Sequence, residues 1–163
     1  MFLVPTLHLA ETVLTKAKAK GWTLATAESC TGGLVAAALT DIAGSSSAVD
    51  CGYVTYSNAA KIRMLGVTEG TLNTYGAVSA QTAGEMAAGT LKTSGVDLAV
   101  SISGIAGPGG GTPDKPVGTV CFGLASKHMP LQTYRIHFEG NRTAVRLAAL
   151  NYALELLSSA LDT

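Results

Sequence analysis

Residues 22–42 read WTLATAESCTGGLVAAALTDI. Trp22 to Ala27 has the apolar, aromatic and Thr content of a short strand. Glu28–Gly33 is small and polar and ends in two glycines, which suits a tight turn. Leu34 to about Ile42 is then an apolar helix. Strand, turn and helix follow with no longer connection between them, and the same order recurs downstream.

Gly44 and Ser45–Ser47 mark a loop, and Val49 to Tyr56 alternates enough to be a second strand. Asn58 is placed to cap a short helix through Lys61 and Met64 to Gly66. Val67–Ala77, rich in Thr and Gly, reads as irregular. Ser79 caps a long helix carrying Ala80, Ala83, Met86, Ala87 and Leu91, ended near Gly95. Leu98–Ser103 is a strand of the fully buried type and runs into a Gly/Pro loop, Gly104–Pro116. Val117–Ala125 and Gln132–Phe138 are two further strands joined around Lys127–Pro130. Asn141 caps a last helix with Val145, Ala148, Ala149, Tyr152, Leu156 and Leu157 on its apolar side. Upstream of Trp22, Leu7, Ala10, Leu14 and Ala17 recur at helical spacing before Gly21.

Strands alternating with helices through residue 103 predict a largely parallel sheet covered on both faces. The short connection between the last two strands adds one antiparallel pairing. The expected fold is therefore α/β: a three-layer α/β/α sandwich with a mixed, mostly parallel sheet of about five strands, one domain over residues 1–163. Ligands in such sheets sit beyond the carboxyl ends of the strands. The loops at 28–33, 56–61 and 103–111 are thereby expected at one rim.

The composition fits a packed globular domain: 47 % of the 163 residues are hydrophobic and 13 % charged. Alanine and glycine together supply 44 residues, which favours closely approaching backbones. Lys+Arg and Asp+Glu are 11 each, so no global charge favours nucleic acid or an anionic membrane, and neither is an expected partner. Cys30, Cys51 and Cys121 are too few and scattered for a disulfide framework or zinc site, and His8, His128 and His137 show no ligand spacing. No metal is expected. The start MFLVPTL lacks a basic n-region, and no apolar run approaches the roughly 18 residues of a membrane span, so the expected location is cytoplasmic. Zero net charge and abundant small residues predict a homo-oligomer, most simply a two-fold dimer.

Four segments carry chemistry, each beside a plainer reading. In Glu28-Ser29-Cys30-Thr31-Gly32-Gly33 a serine on a strand-to-helix turn stands near unpaired helix N–H groups suited to a phosphate or oxyanion, although Ser29 or Thr31 also reads as an ordinary N-cap. Tyr56 ends a strand and Lys61 lies in the next helix's first turn; a lysine acts as a base only where burial or a cationic neighbour keeps it neutral, and otherwise is a solvated charge. Ser103–Gly111 packs five glycines into eight residues, a backbone cradle for phosphate or simply a surface loop, and no Walker or dinucleotide fingerprint completes it. Arg142 and Arg146 sit one turn apart on one helix face, placed to clamp a carboxylate or phosphate or to make surface ion pairs.

Together AESCTGG at 27–33, GYVTYSNAAK at 52–61 with LGV at 65–67, SGIAGPGGGTPDKPVGTV at 103–120 and the F-x-G-x-R-x-x-V-R pattern at 138–146 resemble the CinA C-terminal domains, the nicotinamide-mononucleotide amidases. Asn141 stands where relatives often carry Asp, a change that touches the cap. The resemblance implies hydrolysis of the carboxamide of nicotinamide mononucleotide to nicotinate mononucleotide and ammonia, in pyridine-nucleotide recycling. It implies a metal-free serine amidase without a cofactor, in the stand-alone form lacking the N-terminal domain of many relatives. Ser29 matches the nucleophile, Lys61 the general base and Tyr56 an assisting hydroxyl, while Ser103 and Arg142 match positions lining the site. Glu28, Thr31, Gly32, Gly33, Gly104, Gly107 and Arg146 complete the expected substrate-binding set. Two rival readings stay open: an amidase using Cys30 with Glu28 and Lys61, and a non-catalytic nucleotide-binding module.

Overall fold

Glycines in the left-handed conformation end three of the helices, and short polar side chains begin four. In the computed structural model, which describes residues 2–163, these signals delimit α1 (Val4–Lys20), β1 (Leu24–Glu28), α2 (Leu34–Thr40), β2 (Val49–Val54), α3 (Asn58–Leu65), α4 (Glu69–Tyr75), α5 (Ala80–Ser94), β3 (Leu98–Gly104), β4 (Thr119–Ser126), β5 (Gln132–His137) and α6 (Arg142–Ala160). Ser79 and Asn141 accept from Thr82 N and Ala144 N as N-caps of α5 and α6, as the sequence indicates. The cap of α3 is Ser57 rather than Asn58: its hydroxyl accepts from Ala60 N at 3.1 Å, and Asn58 is the first helical residue. Residues 67–77, expected to be irregular, contain α4, nucleated by Thr68 accepting from Thr71 N with Glu69 in the first turn.

The five strands lie in the order β2-β1-β3-β4-β5. β1 is parallel to β2 and β3, while β4 is antiparallel to both β3 and β5. The sheet is mixed as expected, with two antiparallel pairings where one was expected. Parallel strands of one sheet need a crossover, which α2 supplies between β1 and β2, and α3–α5 supply from β2 across β1 to β3. No helix separates β3 from β4, so the Gly/Pro loop simply reverses the chain.

Helices α1, α2 and α6 cover one face and α3, α4 and α5 the other. The first face buries Leu24, Leu98, Val100, Ile102 and Phe122 against Leu14, Leu39, Leu150, Leu154 and Leu157. The second gathers Ala27, Leu65, Val67, Leu72 and Met86. No described helix is long and apolar enough to cross a membrane.

Small residues set the spacing between layers. A Cβ at Gly89 on α5 would stand 1.8 Å from the Leu65 carbonyl oxygen at the end of α3. Gly89→Ala is expected to destabilise the fold by about 1–3 kcal/mol or more, since backbone cannot yield as a side chain does. Urea unfolding with an unchanged midpoint would contradict that close approach.

Candidate active site

β2, β1 and β3 are parallel neighbours, so the segments leaving their carboxyl ends meet at one edge of the sheet. There Ser29, Cys30, Tyr56, Lys61, Ala77, Val78, Ser103, Gly104, Ala106 and Arg142 line a cavity of about 240 Å³. A larger groove of about 440 Å³ between α4, α5 and the start of β5, bounded by Gln81, Glu85 and Leu131, draws no residue from the turn at 28–33 or from the glycine loop.

Ser29 is fixed by its own N–H, which donates to Ile102 O of β3 at 2.9 Å. The Ser57 cap starts α3 so that Lys61 in its first turn points back beneath β2. Only 1 % exposed, Lys61 donates to Thr55 O at 2.7 Å, and its Nζ lies 3.2 Å from Ser29 Oγ. None of the described ion pairs involves Lys61. Burial without a carboxylate pulls its pKa below the ordinary lysine value. The separation of Ser29 and Lys61 permits direct proton transfer.

The turn is held from two sides by groups the sequence assigned to substrate. Glu28, 0 % exposed, accepts from Gly33 N, Val35 N and Ala36 N at 3.1, 3.1 and 2.9 Å and from Thr26 Oγ1 at 3.3 Å. It occupies the start of α2, so those N–H groups are not available to a ligand. Gly32 N donates to Ser29 O at 3.0 Å. Of the turn's donors, the N–H groups of Cys30 and Thr31 are left without a protein acceptor among the described residues. Arg146 also turns inward, its Nε donating to Cys30 O at 3.0 Å and Nη2 to Thr31 O at 3.2 Å.

Arg142 reaches the cavity mouth. Nη1 donates to Gly107 O at 2.9 Å and Nη2 to the Tyr56 hydroxyl at 3.1 Å, joining the glycine loop to the end of β2. Tyr56 is 63 % exposed at that mouth. Ser103 Oγ donates to Ala77 O at 2.7 Å, drawing the segment before α5 over the site. At Gly104 a Cβ would stand 3.0 Å from Cys30 Sγ and 2.7 Å from Val120, so the glycine allows β3 to close against the turn. Ser29, Lys61, Tyr56, Ser103, Gly104 and Arg142 thus share one cavity, whereas Glu28, Gly33 and Arg146 support it from outside. Thr55 contributes through its carbonyl, and Ala77 and Val78 through the walls. Sequence reasoning missed all three, for backbone contacts leave no mark in residue type.

Cys30, 5 % exposed in the cavity wall, is ill suited to this chemistry: burial pushes its thiol up to about 11, and Glu28 is committed to backbone. The Cys30–Glu28–Lys61 scheme therefore lacks both a thiolate and a free carboxylate. Among the described residues, no three His, Cys, Asp or Glu side chains gather where they would hold a metal ion.

The profile of the CinA C-terminal domain matches residues 6–161. The chain belongs to the CinA C-terminal domain family. A solved family structure, the competence/damage inducible protein CihA from Agrobacterium tumefaciens, shares 47 % identity and superimposes with a TM-score of 0.96, covering 100 % of this chain and 99 % of that one. The nicotinamide-nucleotide amidohydrolase PncC of Enterobacter agglomerans is 59 % identical over 138 residues, 85 % of this chain and 84 % of that protein. The protein of the same name from Escherichia coli K12 is 54 % identical over 151 residues, 93 % of this chain and 92 % of its own length. In this CinA domain Cys30 is expected to resist iodoacetamide until the fold is opened. Peptide mass spectrometry finding Cys30 alkylated in the native protein would contradict its burial.

Proposed function

We propose that the chain hydrolyses the carboxamide of nicotinamide mononucleotide to nicotinate mononucleotide and ammonia, with Ser29 as nucleophile and Lys61 as general base. The buried Ser29–Lys61 pair at 3.2 Å carries this reading, and the PncC names of the similar proteins supply the substrate class. A neutral amine has two hydrogens and one lone pair. Thr55 O takes one hydrogen, which leaves the lone pair free to receive the Ser29 proton.

Ser29 Oγ then attacks the carboxamide carbon, and the carbonyl π pair moves onto oxygen. The Cys30 and Thr31 N–H groups, which have no protein acceptor among the described residues, are the turn's donors left to meet that developing charge. Lys61 passes the captured proton to the amide nitrogen as the C–N bond breaks, so ammonia departs and an ester remains on Ser29. Water, deprotonated by neutral Lys61, cleaves the ester. The scheme calls on no metal or cofactor. Tyr56, whose oxygen already accepts from Arg142, is free to donate its own hydrogen to the leaving nitrogen or to the base. The phosphate lies beyond the cavity, against Arg142 and the N–H groups of Gly107, Gly109, Gly110 and Gly111, which have no protein acceptor among the described residues.

The proposed activity belongs to pyridine-nucleotide recycling in the cytoplasm. A homodimer is proposed from composition, and light scattering would overturn it by finding a single 16.5 kDa chain.

Ammonia release from nicotinamide mononucleotide tests the function, and tight binding with no ammonia would instead favour the non-catalytic module. Ser29→Ala is expected to abolish release. Lys61→Ala should lose about 10²–10⁴ in kcat with little change in KM. Only the neutral amine accepts a proton, so kcat/KM of the wild type should rise with pH through an apparent pKa below the roughly 10.4 of free lysine. Arg142→Ala should chiefly raise KM. A Lys61→Ala enzyme with raised KM and normal kcat would make Lys61 the anchor instead.

A further inference from the structure

Arg146 grips the two carbonyls that flank the α-carbon of Thr31, those of Cys30 and Thr31. Guanidinium donors are fixed in one plane, so the side chain sets the orientation of both peptide groups around that residue at once. In a trans peptide the C=O and N–H point in opposite directions. Drawing Cys30 O towards α6 therefore turns the Thr31 N–H to the other side of the turn, away from α6. That N–H has no acceptor among the described residues.

The Thr31 hydroxyl gives a second, independent sign. Thr31 is 0 % exposed, yet its Oγ1 has no hydrogen-bond partner. Buried polar groups without partners are uncommon. Here two occur on one residue, two positions after Ser29, on a turn whose glycine N–H groups are already spent on Ser29 O and Glu28.

We propose that Thr31 is the donor site for the carbonyl oxygen of the scissile carboxamide, and that Arg146 is the positioning residue that holds it there. The inference rests on the amidase reading and assigns Arg146 to the nucleophile turn, not to the substrate. The two roles separate in kinetics. A ligand to the ground-state substrate acts on KM, whereas support of a donor that strengthens as charge develops on oxygen acts on kcat.

The test compares wild type, Arg146→Ala, Arg146→Lys and Thr31→Val for ammonia release from nicotinamide mononucleotide, with methylguanidinium or methylammonium added to the Arg146→Ala enzyme. Arg146→Ala is expected to lose about 10²-fold in kcat, as for removal of an oxyanion donor, with KM within about twofold. Methylguanidinium should restore part of kcat and methylammonium should not. Arg146→Lys, a point charge able to meet one carbonyl, should fall between wild type and Arg146→Ala, and it serves in place of the alanine variant if that one does not fold. Thr31→Val should lower kcat without raising KM. A raised KM with kcat preserved in either Arg146 variant would overturn the proposal in favour of substrate contact. A lower kcat with no response to methylguanidinium and an equal fall in thermal stability would overturn it in favour of plain structural support. A wild type releasing no ammonia removes the amidase reading itself, while an active wild type with Arg146→Ala unimpaired removes this inference alone.

Discussion

A carboxylate shut off from water joins the central strand to the helix that follows it. Glu28 ends β1 and accepts three backbone N–H groups at the start of α2. Burying an ionised group is tolerable only when its lone pairs are taken up by strong donors, and a helix start offers several with no partner of their own. The need is mutual, so strand end and helix start cannot drift apart without stranding both. The six residues between Ala27 and Leu34 are thereby folded into one shape. Ser29 is the first residue held by it, and its N–H link to Ile102 O brings in β3. Lys61 needs only the Ser57 cap to meet a hydroxyl whose position is already determined.

Much of this was legible because the relevant signals are local. Glycines at the helix ends, the Ser79 and Asn141 caps and the apolar run at 98–103 announced their elements directly. What escaped was the product of pairs. Thr68 and Glu69 look like loop residues until Thr68 is seen to accept from Thr71 N, whereupon they begin α4. Ser57 and Asn58 are both capable caps, and only the chain's approach from β2 chose between them. The antiparallel β3–β4 pairing depended on the absence of a helix in a Gly/Pro loop, which a count of alternating elements passes over.

The site shows a similar division. The motifs put the right segments on one rim, but residue type does not reveal which way a side chain turns. Glu28 and Arg146 carry the charges a nucleotide site would be expected to use, and both are directed at the protein's own backbone. Arg142, one helical turn earlier than Arg146, is the arginine at the cavity. The acceptor that orients Lys61 is a carbonyl, a group every residue possesses.

The lack of a carboxylate beside Lys61 also ties the fold's response to pH to the chemistry proposed for it. An unfolded lysine titrates at roughly 10.4, and the folded value lies lower because the amine is buried. Between those two values the unfolded chain holds a proton that the folded chain does not, so this residue's contribution to stability falls as pH drops through the window. Below the folded value both states carry the charge, and the loss is complete. The proton that would silence Lys61 as the proposed base is therefore the one that loosens the fold, and the deprotonated form the proposal calls on is also the one the protein holds most firmly.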